Sequence, residues 1–171
     1  MENSLIFFVI KGCSPLSSIA NQIVEVCAFR YNKSKVHFLV LQRAQDEKLY
    51  PGLWQIVTGT MKKKEHALKA AMRELKEETG LSARRCWTVP YVDSYFDRAK
   101  NTIQFVPVFA VELKSSSIVR LSSEHQDFEW LTIDAARRQL VWPGQRRALE
   151  IVNEFIIRNK QTAQVVEIPS F

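Results

Sequence analysis

Residues 59–81, GTMKKKEHALKAAMRELKEETGL, decide how this chain is read. From Glu65 to Thr79 the pattern is helical, because Ala67, Leu68, Ala71, Met72 and Leu75 recur at spacings of three and four. Thr79-Gly80 ends the helix, with Gly80 free to take the left-handed conformation of a C-terminal cap. Glu74 and Glu78 are four residues apart and Glu74 and Glu77 three apart, so all three carboxylates share one arc of the helix. Like charges at this spacing repel by a few tenths of a kcal/mol per pair. A cation relieves that repulsion. Hard divalent ions take carboxylate oxygens, and magnesium usually takes only a few from protein, with phosphate and water completing its shell. Arg73 is placed to fix one of the carboxylates through a bidentate pair.

A solvated, glutamate-rich helix is the plain alternative. The order of residues argues against it. Gly59, Glu65, Arg73, Glu74, Leu75, Glu77, Glu78, Gly80 and Leu81 meet, without a gap, a pattern of Gly, five residues, Glu, seven residues, Arg-Glu-apolar-x-Glu-Glu-x-Gly-apolar. Its chance frequency is on the order of 10⁻⁹ per starting position at average composition. The pattern resembles the signature of the Nudix hydrolases. The resemblance implies an α+β fold, a mixed β-sheet sandwiched between α-helices. It also implies a metal-dependent hydrolase of a nucleoside diphosphate linked to another group, with Mg²⁺ or Mn²⁺ as cofactor.

The chain has 171 residues, enough for one domain with a core. It is 46% hydrophobic and 25% charged, and no apolar run approaches the ~18 residues that span a bilayer. The short apolar run Leu5–Ile10 follows Glu2, where a secretion signal carries positive charge, so it reads as an extra strand or an extension. Cys13, Cys27 and Cys86 lie far apart and form no metal-ligand spacing, which suggests reduced thiols and a cytoplasmic location. The net charge of +6 suits a polyanionic substrate. Residues 1–20 are read as an N-terminal extension, 21–160 as the catalytic domain and 161–171 as a C-terminal tail.

Along the chain, Ile23–Tyr31 and Val36–Gln42 read as a strand hairpin across a polar turn. Arg43 follows directly, either a surface cation or a phosphate contact. Residues 44–52 form a loop, and Leu53–Thr58 is a short strand leading to Gly59, with Trp54 read as core. Lys62, Lys63 and Lys64 are an exposed loop or a cationic rim. Two further strands, Trp87–Phe96 and Ile103–Leu113, precede one ending at Glu129-Trp130-Leu131. Thr132–Leu140 reads as a short helix, Pro143-Gly144 as a break, and Gln145–Asn159 as an amphipathic helix. Lys160–Phe171 shows no strong pattern.

Within the family, Trp54-Gln55-Ile56-Val57-Thr58-Gly59, Leu41-Gln42-Arg43, Ala70-Ala71-Met72-Arg73-Glu74 and Ser123-Glu124-His125 are similar to the bacterial dihydroneopterin triphosphate pyrophosphohydrolases. Two departures bear on substrate: Tyr91–Thr102 is shorter than in the pterin enzymes, and Lys62-Lys63-Lys64 replaces an acidic or glycine-containing loop. Phe96 stands where ADP-ribose hydrolases carry proline, and Tyr95 is out of register with the tyrosine of diadenosine polyphosphate hydrolases.

The resemblance implies metal ligation by Glu74, Glu77 and Glu78, with Glu124 as a further ligand or the general base. His125 is the alternative base. Glu65 is expected to steady the helix start and Arg73 to orient a glutamate, while Arg43, Thr58 and Gly59 contact substrate. Glu77, Glu124 and Arg73 form the expected catalytic set. The expected reaction cleaves a nucleoside triphosphate or dihydroneopterin triphosphate to a monophosphate and pyrophosphate. Dinucleoside polyphosphate hydrolysis and a non-catalytic nucleotide- or RNA-binding module are the competing readings. The expected partner is a small-molecule triphosphate, without membrane or nucleic acid, and the chain is expected to be a monomer or homodimer.

Overall fold

The computed structural model describes residues 18–169. Strand β2 (Ile23–Asn32) is its centre. One edge of β2 runs parallel to β7 (Thr102–Glu112). The other edge is shared: Ile23–Val26 pairs antiparallel with β5 (Val57–Thr60), and Phe29–Asn32 pairs with β3 (Lys35–Arg43). β3 also carries β8 (His125–Leu131) and the two-residue β4 (Trp54–Gln55). β6 (Arg85–Asp97) and β1 (Ser18–Ala20) complete a mixed sheet on β7.

Both faces of this sheet are covered. Val24, Val26, Ala28, Val57 and Val111 pack under helix α1 (Ala67–Thr79) through Ala70, Ala71 and Leu75. Cys27, Phe29, Ile56, Val108 and Ala110 pack under α2 (Ile133–Gln139), α3 (Pro143–Ile151) and α4 (Lys160–Val166). The expected sandwich of a mixed sheet between helices is therefore present. A strand buried on both faces has no reason to alternate, which is why IVEVCAFRY reads as a nearly continuous apolar run. The β2–β3 hairpin closes with Lys33 (φ 45°) and Ser34 (φ 67°). Two left-handed residues in a two-residue loop match the twist of the paired strands.

Helix α1 starts at Ala67, later than the expected Glu65, because the Glu65 carboxylate is engaged by the Lys62 N–H and by Arg73. Its end is as expected: Gly80 has φ 70° and donates its N–H to the Lys76 carbonyl. Other boundaries differ from the sequence reading: the strand expected over Leu53–Thr58 is β4 and β5, interrupted at Ile56 and running on to Thr60. Pro143 opens α3 instead of breaking the chain, since a first-turn proline lacks only an N–H that has no helical partner. The helix expected over Gln145–Asn159 is α3 followed by a π-helical segment, Val152–Ile157. Asn159 then caps α4, accepting from the Gln161 and Thr162 N–H groups. The patternless residues after 159 thus contain a seven-residue helix that buries only Ala163. Beyond it the Ile168 N–H reaches the Cys86 carbonyl. Cys27 and Cys86 are buried free thiols. Cys13 and the Leu5–Ile10 run lie outside the described residues, within which no helix is long and apolar enough to cross a membrane.

Leu75 is 1% exposed and joins α1 to the sheet. Leu75→Ala is expected to lower unfolding stability by about 3 kcal/mol through lost burial and a residual cavity. Urea titration would show a lower midpoint at an unchanged slope.

Candidate active site

The carboxylate stretch sits where β5 meets α1. Gly59 on β5 faces the helix, and a Cβ there would lie 2.0 Å from both Cγ and Cδ of Glu74. Only glycine admits that side chain against the strand.

Arg73 is the hub of the site. Its Nη1 donates to Glu74 Oε1 at 2.7 Å and to Glu77 Oε2 at 2.8 Å. Its Nε and Nη2 donate to the two oxygens of Glu65 at 3.0 and 2.8 Å, and Nη2 also reaches the Thr60 carbonyl at 3.1 Å. The Arg73 hydrogen bonds, then the Lys62 N–H, hold the Glu65 carboxyl down at about 2, and the same bonds push Arg73 up.

Glu78 turns inward and is 3% exposed. It accepts the backbone N–H of Thr58, while its Oε2 is buried with no hydrogen-bond partner. Burial drives its carboxyl well above the usual range; Glu74 and Glu124 add to this, and Arg43 opposes them. His125 Nε2 lies 3.8 Å from Glu78 Oε2, but burial lowers the imidazole to about 4, so at neutral pH it offers no charge. The Gln55 amide, 3.4 Å from Nε2, fixes the proton on Nδ1 when it donates.

The other expected residues are placed as follows. Glu124 is exposed, on a loop pinned by the Ala44 N–H to the Glu124 carbonyl and by the Ser122 N–H to the Glu78 carbonyl. Glu77 faces outward on Arg73. Arg43 is committed to Glu47 Oε2 and the Leu49 carbonyl, both at 2.8 Å, so it braces the 44–52 loop while remaining in electrostatic reach of Glu78. Thr58 serves Glu78 through its backbone, but its hydroxyl points to the opposite face, towards Gln145. Lys63 and Lys64 are exposed.

Among the described residues, no three acidic, imidazole or thiol groups are gathered closely enough to hold an ion in this arrangement. The donor chemistry nevertheless fits a hard divalent cation. A buried carboxylate oxygen without a partner lies in the field of two further carboxylates, and an ion ligated there would compete with Arg73 for Glu74.

Sequence reading missed Gln55 and a second buried carboxyl, Glu25, 5% exposed on the other face of the sheet. Gln145 Nε2 donates to Glu25 Oε1 at 3.0 Å, and Glu25 Oε2 is buried without a partner. Burial raises this carboxyl to about 7, against the Gln145 hydrogen bond and with help from Asp93. The signal was present as a single charge inside the apolar run IVEVCAF.

Because the folded value of Glu25 lies above the unfolded one, the native state binds the extra proton. Its stability is therefore fully present below pH ~4.5, falls as pH rises through about 7, and levels off above. Glu25→Gln removes this dependence. The stability of the variant relative to the parent is expected to rise by about 3 kcal/mol between pH 4.5 and 8, measured by urea titration at each pH.

The family model described as the NUDIX domain matches residues 22–151. An octanoyltransferase of Myxococcus xanthus is 35% identical over 106 residues, covering 58% of this chain and 28% of that protein. The chain spans 28% to 43% of the length of this and two Arabidopsis thaliana Nudix hydrolases that it also matches. Among solved structures, an Ap4A hydrolase of C. elegans superposes with a TM-score of 0.67 at 22% identity, covering 82% of this chain and 100% of that one. The dihydroneopterin triphosphate pyrophosphohydrolase of E. coli gives 0.60 at 25% identity, covering 80% and 96%. The matched span includes the whole carboxylate site, and the chain belongs to the Nudix family of hydrolases.

Proposed function

We propose that this chain hydrolyses a nucleoside triphosphate or a pterin triphosphate to a monophosphate and pyrophosphate. The observation that carries this reading is the buried, unpartnered Oε2 of Glu78 in the joint field of Glu74 and Glu124. The similarity to the E. coli pterin enzyme supports the substrate class.

Glu74 and Glu78 would hold Mg²⁺ or Mn²⁺, with Glu77 and Glu124 within the same assembly. The ion would supply charge for the non-bridging phosphate oxygens and acidify water. Everything else falls to the protein. Arg73 keeps Glu74 and Glu77 in place and ties both to the loop that begins at Gly59. The Thr58 N–H orients Glu78. Glu124, exposed and on a loop, is the base that takes the proton from the attacking water; His125, in the buried wall 3.8 Å from Glu78, stays neutral and adds no charge beside it. Lys62, Lys63 and Lys64 supply cationic charge near the entrance of the helix for the terminal phosphates.

Turnover in H₂¹⁸O tests the point of attack. Attack at the α-phosphorus yields pyrophosphate and a monophosphate that carries the label. Orthophosphate as the first product, or label in pyrophosphate alone, would rule out this geometry. Including diadenosine tetraphosphate in the screen separates the dinucleoside reading.

Glu78→Gln is expected to abolish most turnover without unfolding the chain. Glu124→Gln is expected to lower kcat by ~10²-fold or more with a smaller loss of apparent metal affinity. Initial rates over a Mg²⁺ titration read both effects, and parental kinetics in either variant would remove that residue from the assignment.

A further inference from the structure

On the α3 side of β5 lies a polar cluster that the hydrolytic reading leaves unused. Its floor is Glu25. Gln145 cannot turn away from it, because Gln145 Oε1 accepts the Ile56 N–H at 3.2 Å and its Nε2 is thereby directed at Glu25 and the Thr58 hydroxyl. Glu25 Oε1 is thus taken, and Oε2 stays without a partner inside the protein.

A second carboxyl stands close by. Asp93, on β6, lies in electrostatic reach of Glu25 and rests on the first turn of α3. A Cβ on Gly144 would fall 1.9 Å from Asp93 Oδ2, so glycine is what lets the carboxylate in. Asp93 Oδ1 accepts from the Tyr91 hydroxyl and the Ser94 N–H.

Aromatic residues stand close to this pair along the chain: Tyr95 lies two residues after Asp93 on β6, and Trp142 two residues before Gly144. Tyr95, 44% exposed, is in the field of Asp97 first, then of Tyr50, Glu25 and Asp93. Tyr50, 53% exposed and held at φ 56°, meets Trp142 edge-on at 4.8 Å. Flat rings bind a planar heterocycle by its faces. Two neighbouring carboxyls demand hydrogen-bond donors at its edge, and an unmet buried acceptor is costly. A ring N–H beside an exocyclic amino group answers that demand. Guanine and pterin share this arrangement in a 2-amino-4-oxopyrimidine ring, whereas adenine presents a ring acceptor there. Thr58 joins the two sites, with its N–H on Glu78 and its hydroxyl on Gln145.

We propose that Glu25 and Asp93, together with Tyr50, Tyr95 and Trp142, form a specificity pocket for the 2-amino-4-oxopyrimidine ring of a guanine nucleotide or a pterin. The proposal rests on the reading of the carboxylate site as a triphosphate hydrolase. It adds what that site cannot choose, the ring at the other end of the substrate.

The test compares GTP with ITP, which lacks only the 2-amino group, together with ATP and dihydroneopterin triphosphate. Steady-state rates and quenching of tryptophan fluorescence on binding are read for the parent, Glu25→Gln and Asp93→Asn, with Trp142→Phe to assign the quenching. The parent is expected to favour GTP or the pterin over ITP and ATP by at least ~10-fold, in KM and in binding. The preferred one of the two identifies the source of the ring. Either variant is expected to lose the preference through KM, with kcat held within about 2-fold. Equal binding of GTP and ITP by the parent, or a preference retained by both variants, overturns the pocket while leaving hydrolysis intact. Preferential binding without turnover of any triphosphate overturns the hydrolytic reading and leaves the pocket standing.

Discussion

The guanidinium of Arg73 is the constraint on which this site depends. It bonds Glu65, Glu74, Glu77 and the Thr60 carbonyl. One planar group thereby fastens the loop after β5 to the middle of α1. Without it, Glu74 and Glu77 would meet as like charges three residues apart, and the loop carrying Lys62, Lys63 and Lys64 would have no anchor on the helix. Because Arg73 and Glu65 stabilise each other's charged forms, the fastening stays charged across the physiological pH range. The Gly59–Glu74 approach and the inward turn of Glu78 both presuppose that α1 is held at this distance.

The remaining polar groups are placed against the preference of the core. Glu78 and Glu25 are buried carboxyls with an oxygen each unmet, and His125 has a buried Nδ1 unmet. Such groups destabilise a fold, each by roughly 1–3 kcal/mol when unsatisfied. The apolar clusters on either side of β2 offset them. Local inconsistency of this kind is expected where a protein must bind or react, and here Glu25 and Glu78 flank β5 from its two faces.

Helix α1 was legible in the sequence because glycine, arginine and glutamate spacing carries the chemistry directly. The strands were legible because β-branched residues run together where both faces are buried. Other features depended on tertiary partners. Pro143 reads as a breaker or as an opener according to what precedes it, and Trp142 is extended. The π-helical turn leaves no mark in the apolar spacing. Asn159 reads as the end of one helix yet caps the next. Arg43 read either as a surface cation or as a phosphate contact, and its bonds to Glu47 and to the Leu49 carbonyl have no mark in the sequence beyond the spacing of four to Glu47. Glu25, Asp93 and Gln145 are far apart in the chain, and only the pairing of β2 with β5 and β7 and the docking of α3 bring them together.

Strand β5 separates two chemistries by the thickness of one backbone. Alternation along it sends Gly59 to α1 and the Thr58 hydroxyl to α3. Substitutions on one face are therefore spared most of the consequences on the other. A lineage built on this plan is free to exchange the residues around Glu25 and acquire a new substrate in small steps, while the face that carries Glu74 and Glu78 keeps the same reaction. The pleat of a single strand is thus a source of evolutionary modularity within one domain.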